Sequence, residues 1–373
     1  MVAEAHTDTD VFVVGGGPAG MAAAIAARRQ GLRVIVADIL RPPIDKACGE
    51  GLMPDSLVEL GRLGIAVERC AQSPFRGIRF VGPRHSVQAE FPRGQGVGIR
   101  RTVLHAAMIE HAERLGIEMR WGVRVGGLHP DGVLVDGRVV RCRWVVGADG
   151  QNSQVRAWAG LGAAHEFERR TALRQHFVTP EPPDFVEIHW GEGRQAYLTP
   201  IAPNEMCVAV ISKQRLGTFE AELQRLPTLA GRLRNARPSS TVRGAITISN
   251  RLRRVYRDNV VLVGEASGSV DAVTGEGLAL AFRQALSLGE ALAANDLSLY
   301  QAAHRDIEAV PQFMRRAMLL LDKSSIIRRR VLGALHAKPG LFARMLSVHV
   351  GELPLACFGV AALVDLGWQI LMA

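Results

Sequence analysis

The chain is short of lysine and cysteine and lacks a long apolar run. Of its 45 basic residues, only Lys46, Lys213, Lys323 and Lys338 are lysines, so the net charge of +9 is arginine charge. Genome composition produces such a bias as readily as function does, and a high isoelectric point alone does not identify a nucleic-acid partner. The five cysteines, Cys48, Cys70, Cys142, Cys207 and Cys357, form no CxxC pair and no zinc-finger spacing. A disulfide framework and a structural metal are therefore not indicated. No stretch reaches the roughly 18 consecutive apolar residues that a spanning helix requires. The opening MVAEAHTDTD lacks a signal peptide's basic region and apolar core. The chain is expected in the cytoplasm, attached at most to the inner face of a membrane.

What is present is a chain of 373 residues, 48% hydrophobic and 22% charged. That is enough apolar material for a packed core, and the length suggests two domains or one with a large insertion. Val11 to Val14 reads as a buried parallel strand. The turn Gly15-Gly16-Gly17-Pro18-Ala19-Gly20 follows, then an alanine-rich helix over Met21 to Gln30 with Gly31 placed to end it. A second strand, Leu32 to Ala37, ends at Asp38. This is GxGxxG in the context that gives it meaning. Gly15 permits the tight turn, Gly17 lets backbone approach a pyrophosphate, and Gly20 lets helix pack on strand. The pyrophosphate belongs on the helix N-terminus beside Pro18 and Ala19, and the Asp38 carboxylate suits ribose hydroxyls. The unit alone does not distinguish FAD from NAD.

Two later motifs do. The strand Arg143 to Val146 runs into Gly147-Ala148-Asp149-Gly150-Gln151-Asn152-Ser153-Gln154-Val155-Arg156. The segment Val260-Val261-Leu262-Val263-Gly264-Glu265 continues through Val270-Asp271-Ala272-Val273-Thr274-Gly275-Glu276-Gly277 into a helix over 278–294. Together with GxGxxG, these resemble the fingerprints of the FAD-dependent para-hydroxybenzoate hydroxylase superfamily, which includes the geranylgeranyl reductases. The resemblance covers residues 11 to about 295. It implies an α/β fold: a Rossmann-like FAD-binding domain of the GR2 type over 1–71, 100–164 and 251–300. An antiparallel-sheet substrate domain over 72–99 and 165–250 is inserted, and C-terminal helices follow over 301–373. It also implies roles. Asp149 would lie near the FAD pyrophosphate and riboflavin, and Arg101 would contact the phosphate and ribityl region. Gly264 and Glu265 would meet the ribityl chain, with Glu265 where the family usually has aspartate. The amides of Gly277 and Leu278 would face the flavin N1 and O2 edge, whose charge on reduction a helix N-terminus stabilises.

Locally, VDAVTGEG resembles the VDPxTGEG of the geranylgeranyl reductases, and Cys48-Gly49-Glu50-Gly51 resembles their cysteine-containing segment. Their aromatic Tyr-x-Trp-x-Phe-Pro strand is not matched: Tyr197-Leu198-Thr199-Pro200 keeps only tyrosine and proline. The superfamily and this departure favour a monooxygenase that hydroxylates an apolar or phenolic molecule through a flavin C4a-hydroperoxide. The alternative is reduction of a carbon–carbon double bond, with Cys48 or Glu50 as proton donor. The third reading is a non-catalytic flavin-binding redox sensor. Cys48, Glu50 and Tyr197 are the catalytic candidates, each with a plain structural reading beside it. Strands are expected over Phe185–Trp190, Ala196–Pro200 and Met206–Ile211. Gly94-Gln95-Gly96-Val97-Gly98 lacks a preceding strand and reads as loop, leaving no second dinucleotide domain. NAD(P)H would then dock transiently, or another protein would supply electrons.

Residues 311–351 hold Arg315, Arg316, Lys323, Arg328, Arg329, Arg330, Lys338 and Arg344 against Asp322 alone. Apolar clusters lie between them at helical spacing, so the segment can lie on an anionic bilayer or dock on the protein's own body. The chain ends in an apolar run over 353–373 anchored by Trp368.

Overall fold

The computed structural model describes residues 7–358. Of the closing apolar run, residues from 359 onward, Trp368 among them, lie outside the described residues. The first sheet is built on five parallel strands: Val260–Leu262, Arg138–Gly147, Thr9–Val14, Val34–Asp38 and Glu118–Trp121, in that order. Val11, Phe12 and Val13 are fully buried, as a strand covered on both faces demands. Val14 stands opposite Ala37 on one side and Gly147 on the other, and Gly147 stands opposite Leu262. In-register parallel pairing therefore delivers the glycine turn, Asp38, Ala148–Asp149 and Gly264–Glu265 to one edge. That edge, at the carboxyl ends of the strands, is where open α/β sheets bind ligands.

The helix Pro18–Arg29 buries Met21 through Ala27 against the helix Gly277–Ala293. Their backbones approach closely: a Cβ on Gly289 would lie 3.0 Å from the Ala26 carbonyl. Alanine and glycine thus replace bulk with proximity, and the two helices that bracket the strand edge are locked together.

A second, nine-stranded sheet carries the long strand Ala163–Val178, with Arg243–Leu252 on one side. On the other side follow Glu205–Ser212, Arg194–Ala202, Val186–Gly191, Gly77–Val81 and Ser86–Glu90. One face packs Ile188, Trp190 and Ile211 against Met318, Leu321, Leu332, Leu335 and Phe342. These come from the C-terminal helices Ala309–Lys323, Ser325–Ala337 and Pro339–His349. The Phe80 ring sits 4.8 Å from Trp190 and 4.6 Å from Phe342. The basic segment therefore docks one face on the protein's own body. Among the described residues, no helix is long and apolar enough to cross a membrane.

The glycine cluster read as loop is partly strand: Gly96–Ile99 pairs with Gly51–Leu52 and Gln72–Phe75. The physical reason is crowding. A Cβ on Gly98 would lie 1.6 Å from the Pro200 carbonyl oxygen, and one on Gly96 would lie 2.3 Å from the Phe75 ring. Glycine here lets the small sheet press on the nine-stranded sheet, and its composition looks like a loop for that reason.

Candidate flavin site

The glycine turn is fixed from several directions. Gly15 takes a φ of +106°, and a Cβ there would lie 2.4 Å from the Ala148 carbonyl oxygen. A Cβ on Gly20 would lie 1.8 Å from the Gly15 carbonyl oxygen. Gly16, to which the sequence assigns nothing, sits under the Trp121 ring, 2.3 Å from where its Cβ would be. Gly17 differs from all three, because the nearest atom to its virtual Cβ is Arg101 Nη2 at 4.0 Å. Three glycines are required by the protein's own atoms, and Gly17 opens onto space beside a guanidinium. The Gly16 N–H donates to Asp38 Oδ2 at 2.7 Å, and the Leu40 N–H donates to Oδ1 at 2.8 Å. His105 Nε2 contacts the Gly16 carbonyl at 2.7 Å, and burial holds its pKa below the usual imidazole range. The helix beginning at Pro18 has no side-chain cap and no acid in its first turn, which leaves its N-terminal amides for an anion.

A cavity of about 790 Å³ runs from this turn to the nine-stranded sheet. Every cofactor-binding and catalytic candidate except Gly20 lines it. Gly264 takes a φ of +64° with Ala19 Cβ 2.6 Å from its own virtual Cβ, and its N–H donates to Gln284 Oε1 at 2.8 Å. Glu265 reaches Lys46 Nζ at 2.5 Å, both side chains about 40% exposed. Asp149 accepts from Ser153 Oγ at 2.5 Å and from the Gln154 and Val155 amides at 2.7 and 3.1 Å. Its carboxylate thus secures the start of the helix Gln154–Trp158 at the cavity edge. The helix Gly277–Ala293 also starts without a side-chain cap, and Gly277 and Leu278 face the cavity.

The residues fit FAD. An uncapped helix start, a glycine open to space and Arg101 converge at one end, and the Arg101 Nε is buried without a partner. The other end has apolar walls from Ile78, Ala172, Val186, Ile188, Ala209 and Ile211.

Glu50 stands between the two ends. It is 2% exposed and takes a left-handed φ of 59°, a conformation that needs outside support in a non-glycine residue. That support is visible. Oε1 accepts the Arg101 N–H at 3.0 Å, and Oε2 lies 2.7 Å from His176 Nε2. His176 Nδ1 lies 3.3 Å from Arg174 Nη1. A guanidinium only donates, so Nδ1 accepts and Nε2 carries the proton that Glu50 receives. Arg174 also pairs with Asp45. The Glu50 N–H donates to Cys48 Sγ at 3.4 Å. Behind them, burial pushes the Cys207 thiol well above the ordinary range.

The Tyr197 hydroxyl lies 2.6 Å from Gln195 Oε1 and 2.8 Å from the Val273 carbonyl. Burial raises its pKa. Gln195 Nε2 donates to Asp322 Oδ1 at 2.7 Å. Asp322 Oδ2 receives Arg170 Nη1 at 2.9 Å, and Arg170 Nε donates to Asp271 at 2.8 Å. The sequence reading missed Arg170, Arg174 and His176. Their signal is the alternation Arg170-x-Ala172-x-Arg174-x-His176, which puts two guanidinium groups and an imidazole on one face of the strand.

A Rossmann-like sheet with this cradle at its carboxyl edge defines an FAD-binding flavoprotein. The chain belongs to the FAD binding domain family, whose model matches residues 8–297, and it is a flavin-dependent oxidoreductase. It is 27% identical over 327 residues to menaquinone reductase of Mycolicibacterium smegmatis, covering 80% of each chain. It is 28% identical over 320 residues to digeranylgeranylglycerophospholipid reductase of Methanosarcina acetivorans, covering 78% of this chain and 77% of that one. Rifampicin monooxygenase of Streptomyces venezuelae is 27% identical over 309 residues, 76% of this chain and 64% of that one. In fold, the chain is similar to a flavoprotein/dehydrogenase from Cytophaga hutchinsonii. There the TM-score is 0.82 at 18% identity, covering 96% of this chain and all of that one.

Proposed function

We propose that the chain reduces a carbon–carbon double bond in an apolar, isoprenoid-like substrate, with NAD(P)H as transient electron donor. The observation that carries this reading is the placement of Cys48. Its half-buried thiol lines the apolar cavity and receives a hydrogen bond from the Glu50 amide. The other candidates are engaged: Glu50 by Arg101 and His176, Tyr197 by Gln195 and Val273. Bound FAD supplies two-electron chemistry. The chain's residues exclude water with Ile78, Val186, Ile188 and Ile211, and hold a proton at Cys48 Sγ for the second carbon. Two reductase relatives, one named for a digeranylgeranyl lipid, support the same reading.

A second reading, hydroxylation of an apolar or phenolic molecule, is favoured by the monooxygenase relative and by the unmatched aromatic strand at Tyr197–Pro200. One experiment separates the two, with geranylgeranyl diphosphate and a polyprenyl quinone as probes. The reduced holoprotein is incubated with each in D₂O without oxygen. Saturated product carrying solvent deuterium, its formation lost in Cys48→Ala, supports reduction. Product formed only with oxygen, carrying label from ¹⁸O₂, supports hydroxylation. Tight flavin binding without either product points to redox sensing.

A further inference from the structure

The basic C-terminal segment is not part of the flavin cavity, and its charges have two fates. Asp322, its one acid between 311 and 351, turns inward to Arg170 and Gln195. Arg328 is half-buried and reaches the Leu321 carbonyl at 3.1 Å. Arg316, Arg329 and Arg330 are exposed. Among the described residues, no ion pair engages them. The outer face of these helices therefore keeps its positive charge without a counter-charge from its own segment.

That face also carries apolar groups. Leu320 is 47% exposed, one turn after Arg316, and Ile326 is 56% exposed, one turn before Arg329 and Arg330. The inner face is already used, since Met318, Leu321, Val331, Leu332 and Leu335 are buried on the nine-stranded sheet. Between the helix Ser325–Ala337 and the turn at residues 82–85 lies a separate cavity of about 200 Å³. Arg84, His85, Arg328 and Arg329 line it, and no carboxylate does.

We propose that this face docks on an anionic phospholipid bilayer. A headgroup phosphate enters the cavity between Arg84, Arg328 and Arg329, and Leu320 and Ile326 enter the acyl boundary. Three guanidinium groups suit phosphate oxygens, which they bind in a fork geometry. The interleaved leucine and isoleucine gain from hydrocarbon and gain nothing from a nucleic-acid backbone, so a bilayer fits both chemistries of the face. This inference does not rest on the reaction proposed above, and its test reads no turnover.

The test is co-sedimentation of the full-length, FAD-loaded protein with phosphatidylcholine vesicles, with and without phosphatidylglycerol. Strong preference for the anionic vesicles is expected. Arg84→Gln with Arg329→Gln, both at exposed positions, should lower the partition coefficient about fivefold per charge removed. Leu320→Ser with Ile326→Ser should abolish the binding that survives raised salt. Flavin absorbance confirms that each variant is folded and loaded. Equal binding to neutral vesicles, or an unchanged partition in the arginine pair, overturns the proposal. So does equal binding of duplex DNA that ignores the Leu320 and Ile326 changes, or capture of inorganic phosphate without vesicle binding.

Discussion

Glu50 and Arg101 are joined by a single hydrogen bond, the Arg101 N–H donating to Glu50 Oε1 at 3.0 Å. The Glu50 carboxylate also accepts a hydrogen bond from His176 Nε2 on the nine-stranded sheet. One buried side chain therefore ties the start of the helix Arg101–Arg114, whose first guanidinium borders the cofactor cradle, to the sheet that roofs the cavity. Misplacing Glu50 would misplace both walls at once.

Replacement of Glu50 tests that relationship. Glu50→Ala leaves the Arg101 amide and the His176 ring buried without their acceptor, at a cost of about 1–3 kcal/mol for each group. Thermal unfolding should show the loss, and fluorescence titration should show weaker FAD binding. Glu50→Gln keeps the shape and should lie between. Wild-type values in Glu50→Ala for both quantities would falsify the assigned role.

The glycines of the first turn should separate folding from binding. Gly20→Ala places a Cβ 1.8 Å from the Gly15 carbonyl and should destabilise the apoprotein by several kcal/mol or prevent folding, on the order of other overpacked sites. Gly17→Ala meets nothing of the protein nearer than 4.0 Å. Its apoprotein should melt near the wild-type temperature while FAD affinity falls at least tenfold. Equal effects of the two substitutions on the apoprotein would contradict the reading of Gly17 as the cofactor-facing position.

A pH dependence follows from Glu276 and His349, whose Oε1 and Nδ1 are 3.6 Å apart. Burial, reinforced by the neighbouring Asp55 carboxylate, pushes Glu276 up to about 8 from an ordinary 4.5. Burial pushes His349 down to about 4 from 6.5. A raised carboxyl pKa means stability present below pH 4.5 and lost as pH rises toward 8. A depressed imidazole pKa means stability present above pH 6.5 and lost as pH falls toward 4. These two groups therefore favour a stability maximum at mildly acidic pH. Glu276→Gln should flatten the alkaline limb and gain, relative to wild type, on the order of a few kcal/mol at pH 8. Chemical denaturation across pH reads this directly, and an unaltered alkaline slope would remove Glu276 as its source.

Arg170 braces three parts of the chain: its own strand, the 271–276 turn through Asp271, and the C-terminal helix through Asp322. Arg170→Met removes the counter-charge of two buried carboxylates and should cost about 3–5 kcal/mol. Adding Asp271→Asn and Asp322→Asn to the same chain should restore part of it. A destabilisation that the added asparagines leave untouched would assign the effect to packing alone.

The sequence by itself determined the cofactor half of this protein. Val11 to Asp38, the Asp149 segment and the run from Val260 to Leu278 each combine a strand with a turn whose residue types have a local physical reason. Parallel pairing then brings their ends together, because neighbouring strands in register share one carboxyl edge. Local chemistry of that kind is legible before any coordinate is known.

Tertiary structure decided what depends on distant partners. Gly16 is a glycine because of Trp121, far along the chain, and Gly96 and Gly98 read as loop because the crowding that demands them belongs to Phe75 and Pro200. Tyr197, on sequence grounds a catalytic candidate with plain sheet packing as its other reading, is bonded to Gln195 and Val273. The buried chain from Arg174 through His176 and Glu50 to Arg101 joins residues 174, 176, 50 and 101, and no local pattern spans such separations. Packing settles which polar groups find partners, since a buried one must be paired from whatever the fold places beside it.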